Sequence, residues 1–113
     1  MEEELDRINS LHLWDFEVAQ NDDGALLLLG SNDFVYSHYL EAEFHGVVFT
    51  DVPERFSHAE FRLGKDGTVW IRAEGNEYEI QATSLEVRIG RVYYYEREDL
   101  KPGERIASHH RRG

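Results

Sequence analysis

Ala59-Glu60-Phe61-Arg62-Leu63, Val69-Trp70-Ile71-Arg72-Ala73, Tyr78-Glu79-Ile80-Gln81-Ala82 and Leu85-Glu86-Val87-Arg88-Ile89 follow one another in residues 59–89. Each run alternates apolar and polar side chains, so a β-strand there collects its apolar residues on one face. Lys65-Asp66-Gly67 separates the first two runs and Gly75-Asn76 the next two. These are turn residues, glycine because it takes a positive φ without steric cost. Consecutive alternating runs joined by short turns specify an antiparallel meander. Phe61, Ile71, Ile80 and Val87 occupy the apolar phase and are expected on one shared face. After Gly90, Val92-Tyr93-Tyr94-Tyr95 reads as the last strand.

Upstream the same grammar holds with more interruptions. Trp14, Phe16 and Val18 alternate with Asp15 and Glu17, and Asn21-Asp22-Asp23-Gly24 then turns the chain into the apolar run Ala25–Leu29. Gly30-Ser31-Asn32-Asp33 breaks that run. From Val35 to Phe44, Tyr36, His38, Leu40, Ala42 and Phe44 fall on one side, with Ser37, Glu41 and Glu43 opposite. Gly46 marks a bulge or bend. Val47-Val48-Phe49-Thr50 resumes strand character, and Pro53 ends it because proline donates no ladder hydrogen bond. Helical spacing occurs only in residues 2–9, where Leu5 and Ile8 lie three apart behind acidic residues that suit a helix start. The expected fold is therefore all-β, an antiparallel meander of about seven or eight strands with a short N-terminal helical turn. It forms a curved sheet, a sandwich or a partly open barrel. Residues 1–100 form a single domain, and 101–113 are expected to be a mobile C-terminal tail.

Charge is divided unevenly along the 113 residues. Residues 1–60 hold 14 Asp/Glu against 2 Lys/Arg, a balance of −12, and residues 61–113 hold 9 against 10, a balance of +1. The first half repels polyanions, which argues against nucleic acid as a partner, and it attracts a basic protein. Such a surface also serves solubility. The chain has no Cys, which removes disulfides, thiolate metal sites and thiol nucleophiles. The acidic start Met-Glu-Glu-Glu lacks the basic-then-apolar pattern of a signal peptide. The longest apolar run, Ala25–Leu29, is far short of the roughly 20 residues a membrane span takes. The expected location is cytoplasmic, with no membrane association.

No catalytic signature emerges. His38, His45 and His58 fit no compact metal motif, and His38 on an apolar face reads as a buried, hydrogen-bonded core residue. The adjacent pair His109-His110 lies in the expected tail. Glu41/Glu43 and Glu77/Glu79 are two apart, so each pair points to one wet face, and solvated carboxylates make poor general acids. Asp22-Asp23-Gly24 lacks the remaining ligands of a calcium loop. Neither a phosphate-cradling glycine loop nor a nucleophile elbow is present. No enzyme activity, metal or cofactor is expected.

Binding residues are better marked. Glu41, Glu43, Asp51 and Glu54 are the acidic candidates for contact with a basic partner, expected outward on a strand or in the Pro53 loop. Trp70 lies on a polar strand face, and Tyr93, Tyr94 and Tyr95 cannot all point the same way, so Trp70, Tyr93 and Tyr95 are aromatic interface candidates. A small-molecule-binding barrel is the alternative, its interior lined by Trp14, Phe16, Tyr36 and Phe44. A homo-oligomer is compatible with either.

Ser10-Leu11-His12 at the first strand, the hairpin after it, Phe44-His45-Gly46-Val47 and Ile80-Gln81-Ala82-Thr83-Ser84-Leu85-Glu86-Val87 together resemble small bacterial all-β proteins that include the immunity protein 50 family. The resemblance covers about residues 10–95. The chain departs from it after His12, where Leu13 stands in place of the family's Asp. The resemblance implies an inhibitor that binds and blocks a toxin, and an acidic chain suits a basic one.

Overall fold

The computed structural model describes residues 1–107. Among them one helix, α1 (Glu2–Ser10), precedes β1 (Asp15–Asp22), β2 (Ala25–Ser31), β3 (Ser37–His45), β4 (Phe49–Thr50), β5 (Arg55–Ser57), β6 (Glu60–Leu63), β7 (Val69–Ala73), β8 (Asn76–Gln81), β9 (Ser84–Tyr93) and β10 (Arg105–Ile106). Three acidic residues stand in the first turn of α1 and Arg7 in its last, both favourable to the helix dipole. Leu5 and Ile8 form its buried face. No helix among the described residues is long and apolar enough to cross a membrane.

The strands form two sheets, one in the order β10-β9-β3-β2-β1-β5 and one in the order β4-β8-β7-β6. Neither closes into a barrel. Pairing is antiparallel except for the short β10, which runs parallel to β9. The chain turns between β1 and β2 through Asp23 and Gly24, both at positive φ, as a tight hairpin requires. The turn expected at Gly75-Asn76 sits one residue earlier, at Glu74-Gly75.

The expected meander exists as two pieces, β1-β2-β3 and β6-β7-β8. It breaks after β8, because β9 leaves for the other sheet and pairs with β3. Ala82 and Thr83 make that crossing, held where the Thr83 N–H donates to the His45 carbonyl at 2.9 Å. Phe61, Ile71 and Ile80 share one face of the smaller sheet, whereas Val87 has the right phase but faces them from the larger sheet. The common core joins them with Val69 and Ala73 to Leu26, Leu28, Leu40, Ala42 and Phe44. Phe16 and Phe56 stack within it at 5.3 Å.

A bulge adjusts the pairing of β3 with β9. His38 pairs with Val92 but Leu40 with Ile89, so Tyr39 alone opposes Gly90 and Arg91. Gly90 has φ +156, and a Cβ there would lie 2.5 Å from the Gly103 carbonyl oxygen. Only glycine permits that approach. The segment beyond residue 100, expected as a tail, thus packs back on β9 and adds β10. The rest of that tail, with His109-His110, lies outside the described residues.

Ile71 and Ile80 are fully buried. Truncating either to Ala should cost about 2–5 kcal/mol in denaturant unfolding, and Glu60→Ala, at an exposed position of β6, less than about 0.5 kcal/mol. Equal tolerance at Ile80 and Glu60 would contradict the observed strand phase.

Candidate protein interface

Strand β3 sends Leu40, Ala42 and Phe44 into the core and Glu41 and Glu43 to the opposite face. The outward direction agrees with the sequence; the solvation of Glu41 does not. Register places Arg88 opposite Glu41, and Glu86 opposite Glu43. Arg88 donates from Nε to Glu41 at 2.9 Å, while its Nη1 lies 3.1 Å from both Glu43 and Glu86. Arg105 of β10 reaches the same Glu41 oxygen at 2.8 Å. His38, expected beside Leu40, reaches the Glu41 side, where its Nε2 lies 2.7 Å from the second carboxylate oxygen. Only 13% of the Glu41 side chain remains exposed.

The His38 hydrogen bond first, then the Arg88 and Arg105 guanidiniums, lower the Glu41 carboxyl from 4.5 to about 2. An ionised carboxylate only accepts, so Nε2 of His38 carries a proton. A neutral ring then accepts the Tyr94 hydroxyl at Nδ1, 2.7 Å away. His38 and Tyr94 are both buried. This cluster fastens β3, β9 and the C-terminal segment, and its Glu41 is engaged internally rather than offered to a partner.

The other expected contact residues are scattered. Asp51 and Glu54 are exposed between β4 and β5, with Asp51 accepting the Glu79 N–H at 2.8 Å. Trp70 is half-buried, its ring 5.8 Å from the Arg62 guanidinium. Tyr93 is buried rather than presented; Arg97 lies 4.4 Å above its ring and its hydroxyl donates to Glu104. Tyr95 is exposed.

Tyr95 has neighbours that sequence reading assigned elsewhere. Its ring meets Tyr36 edge-on at 6.3 Å. Trp14 and Tyr36, expected inside a barrel with Phe16 and Phe44, are instead 61% and 57% exposed, and Val35, next to Tyr36 in the chain, is 63% exposed; the Trp14 ring meets that of His58 at 6.4 Å. Each aromatic stands one residue before its strand begins, at Asp15 or Ser37, so the alternation does not govern where it points. The two loops bearing them are pinned. Asn32 accepts the Trp14 N–H at 2.8 Å, Asp33 accepts that of Val35 at 3.0 Å, and the Tyr36 carbonyl accepts that of Tyr94 at 2.9 Å. Trp14, Val35, Tyr36 and Tyr95 are thereby displayed from three linked segments.

One group among the described residues has metal-ligand types in reach of each other: Glu43, His45 and Glu86, with ligand atoms within 4.8 Å. Arg88 already bridges the two carboxylates and supplies their countercharge. Comparison with protein-family models, characterised proteins and solved structures finds no match to this chain.

Because the folded chain holds Glu41 at a lower pKa than the unfolded chain, it binds fewer protons. The resulting stabilisation is complete above the unfolded value and is lost as pH falls from about 5 to about 2, an effect of about 3 kcal/mol. Urea unfolding at stepped pH should trace that loss in the wild type. Glu41→Gln should start less stable near neutrality and lose less across the same window, its remaining loss coming from the other carboxylates that the fold holds ionised.

Proposed function

We propose that this chain is a non-catalytic binding domain that acts by contact with a basic protein, as an immunity-type inhibitor does with its toxin. The two sheets form a sandwich that serves as a rigid scaffold for the contact loops. The observation that carries the reading is the exposed set Trp14, Val35, Tyr36 and Tyr95 on pinned loops. Isolated exposed apolar residues are ordinary, but linked large ones that include Trp and Tyr are the usual anchors of protein interfaces. Pinning lowers the ordering cost of binding. Three of the four belong to residues 1–60, the stretch with a charge balance of −12, and the chain as a whole carries −11, which favours a basic partner. That combination suits a partner with a basic rim around an apolar pocket.

Small-molecule binding has less support. Of the four residues named for its interior, Phe16 and Phe44 are packed into the filled core, and Trp14 and Tyr36 face solvent.

The test measures binding to basic proteins encoded beside this chain's gene. Trp14→Ala and Tyr36→Ala should each weaken association about tenfold or more, with thermal stability nearly unchanged because both rings are exposed. Added salt should slow association of the wild type. Equal binding by the wild type and a Trp14/Tyr36/Tyr95 triple Ala variant, or no basic partner at all, would overturn the proposal.

A further inference from the structure

We infer that the open edge of β9 pairs with β9 of a second copy, antiparallel, about a two-fold axis through Val87. β3 covers one side of β9 from Ser84 to Tyr93, whereas β10 covers the other side only at Val92 and Tyr93. Among the described residues no strand pairs with Ser84–Ile89 on that second side. An unpaired stretch of this length is a template for another strand.

Among the described residues, 19–22 of β1 and 76–78 of β8 also lack an outer strand, but they carry acidic charge only and do not complement themselves, and the other edges are blunted. Asn9 of α1 caps β6, donating to the Phe61 carbonyl at 2.7 Å and accepting the Phe61 N–H at 2.8 Å. β5 is three residues long and follows Pro53, and β4 is two residues long. β9 has neither a side-chain cap nor a proline along Ser84–Ile89.

Its sequence there is self-complementary. Leu85-Glu86-Val87-Arg88-Ile89 reads apolar, acidic, apolar, basic, apolar. With the axis at Val87, Glu86 opposes Arg88 of the second copy and, by symmetry, the reverse pair forms as well. Leu85 then opposes Ile89 on the core side. Moving the axis to Glu86 sets two glutamates opposite each other, and moving it to Arg88 sets two arginines, so charge selects one register. Arg88 has the capacity, since its Nε and Nη1 hold Glu41, Glu43 and Glu86 and its Nη2 takes part in none of those pairs. Glu86 is accessible, with 58% of its side chain exposed.

Sedimentation of the full chain over a wide concentration series is the primary experiment, with hydrogen exchange read at low and high concentration. The wild type should pass from monomer to dimer, and the amides of residues 84–89 should exchange more slowly as it does. Glu86→Lys sets a lysine against Arg88 of the second copy in both symmetric positions. It should remain monomeric over the same range, and because it also loses the pair with Arg88 of its own chain, its thermal unfolding is read beside that of Glu86→Gln, which loses the same pair. If that variant loses its fold, Glu86→Gln removes the attraction without adding repulsion and should dimerise more weakly than wild type. The Trp14/Tyr36/Tyr95 variant should dimerise like wild type, which separates this edge from the proposed partner surface. A wild type monomeric throughout, a dimer with no protection at 84–89, or equal dimerisation of both Glu86 variants and wild type would overturn the inference.

Discussion

A single ionised carboxylate joins parts of the chain that are otherwise far apart. Glu41 on β3 holds His38 on its own strand, Arg88 on β9 and Arg105 on β10, and His38 extends the chain of bonds to Tyr94. Removing a carboxylate from water is costly, and the cost is recovered only where good hydrogen bonds replace the lost solvent. Two guanidiniums and an imidazole supply them here. The cluster thereby penalises wrong arrangements more strongly than it adds net stability. A slip of β9 by one residue would move Arg88 to the other face and leave Glu41 poorly solvated and unpaired. The same bonds bring the segment after Tyr93 back over the sheet.

The cluster forms beside the bulge. In a regular strand, residues 38 and 41 face opposite sides. Here the imidazole nevertheless reaches the carboxylate, next to the point where Tyr39 opposes two residues of β9. Gly90 is the enabling residue on β9, since its φ and its contact with Gly103 both exclude a side chain. A backbone irregularity and a charge cluster are here neighbours.

Much of this fold was legible in period-two alternation. The strands built from Phe61, Ile71, Ile80 and the Leu40–Phe44 run carry their apolar residues into the core as the pattern requires. What alternation cannot encode is which strand pairs with which. Nothing in Leu85–Ile89 says that it leaves β8 for β3, because its apolar phase serves equally well in either sheet. Strands of two or three residues, β4, β5 and β10, are too short to have a period. The same limit hid the aromatic surface. Trp14 and Tyr36 continue the phase of Phe16 and His38 on paper, yet each lies just outside its strand, where the backbone no longer alternates. The engagement of Glu41 was invisible for a different reason, since its partners Arg88 and Arg105 stand 47 and 64 residues away.

The two surfaces differ in what they ask of the fold. The aromatic loops sit on backbone pinned by Asn32, Asp33 and the Tyr36 carbonyl, so their display depends on local hydrogen bonds near one end of β1 and β3. The edge of β9 depends instead on long-range register, because only correct pairing with β3 leaves Glu86 and Arg88 side by side on the outer face. Charge asymmetry separates the two in the same sense. The aromatic set lies mostly in residues 1–60, whose balance is −12, while β9 lies in residues 61–113, whose balance is +1. Both surfaces rest on the Glu41 cluster, which fixes β9 against β3 and holds Tyr94, the neighbour of Tyr95, in place. The largely buried carboxylate thus orders two regions to which it does not itself belong.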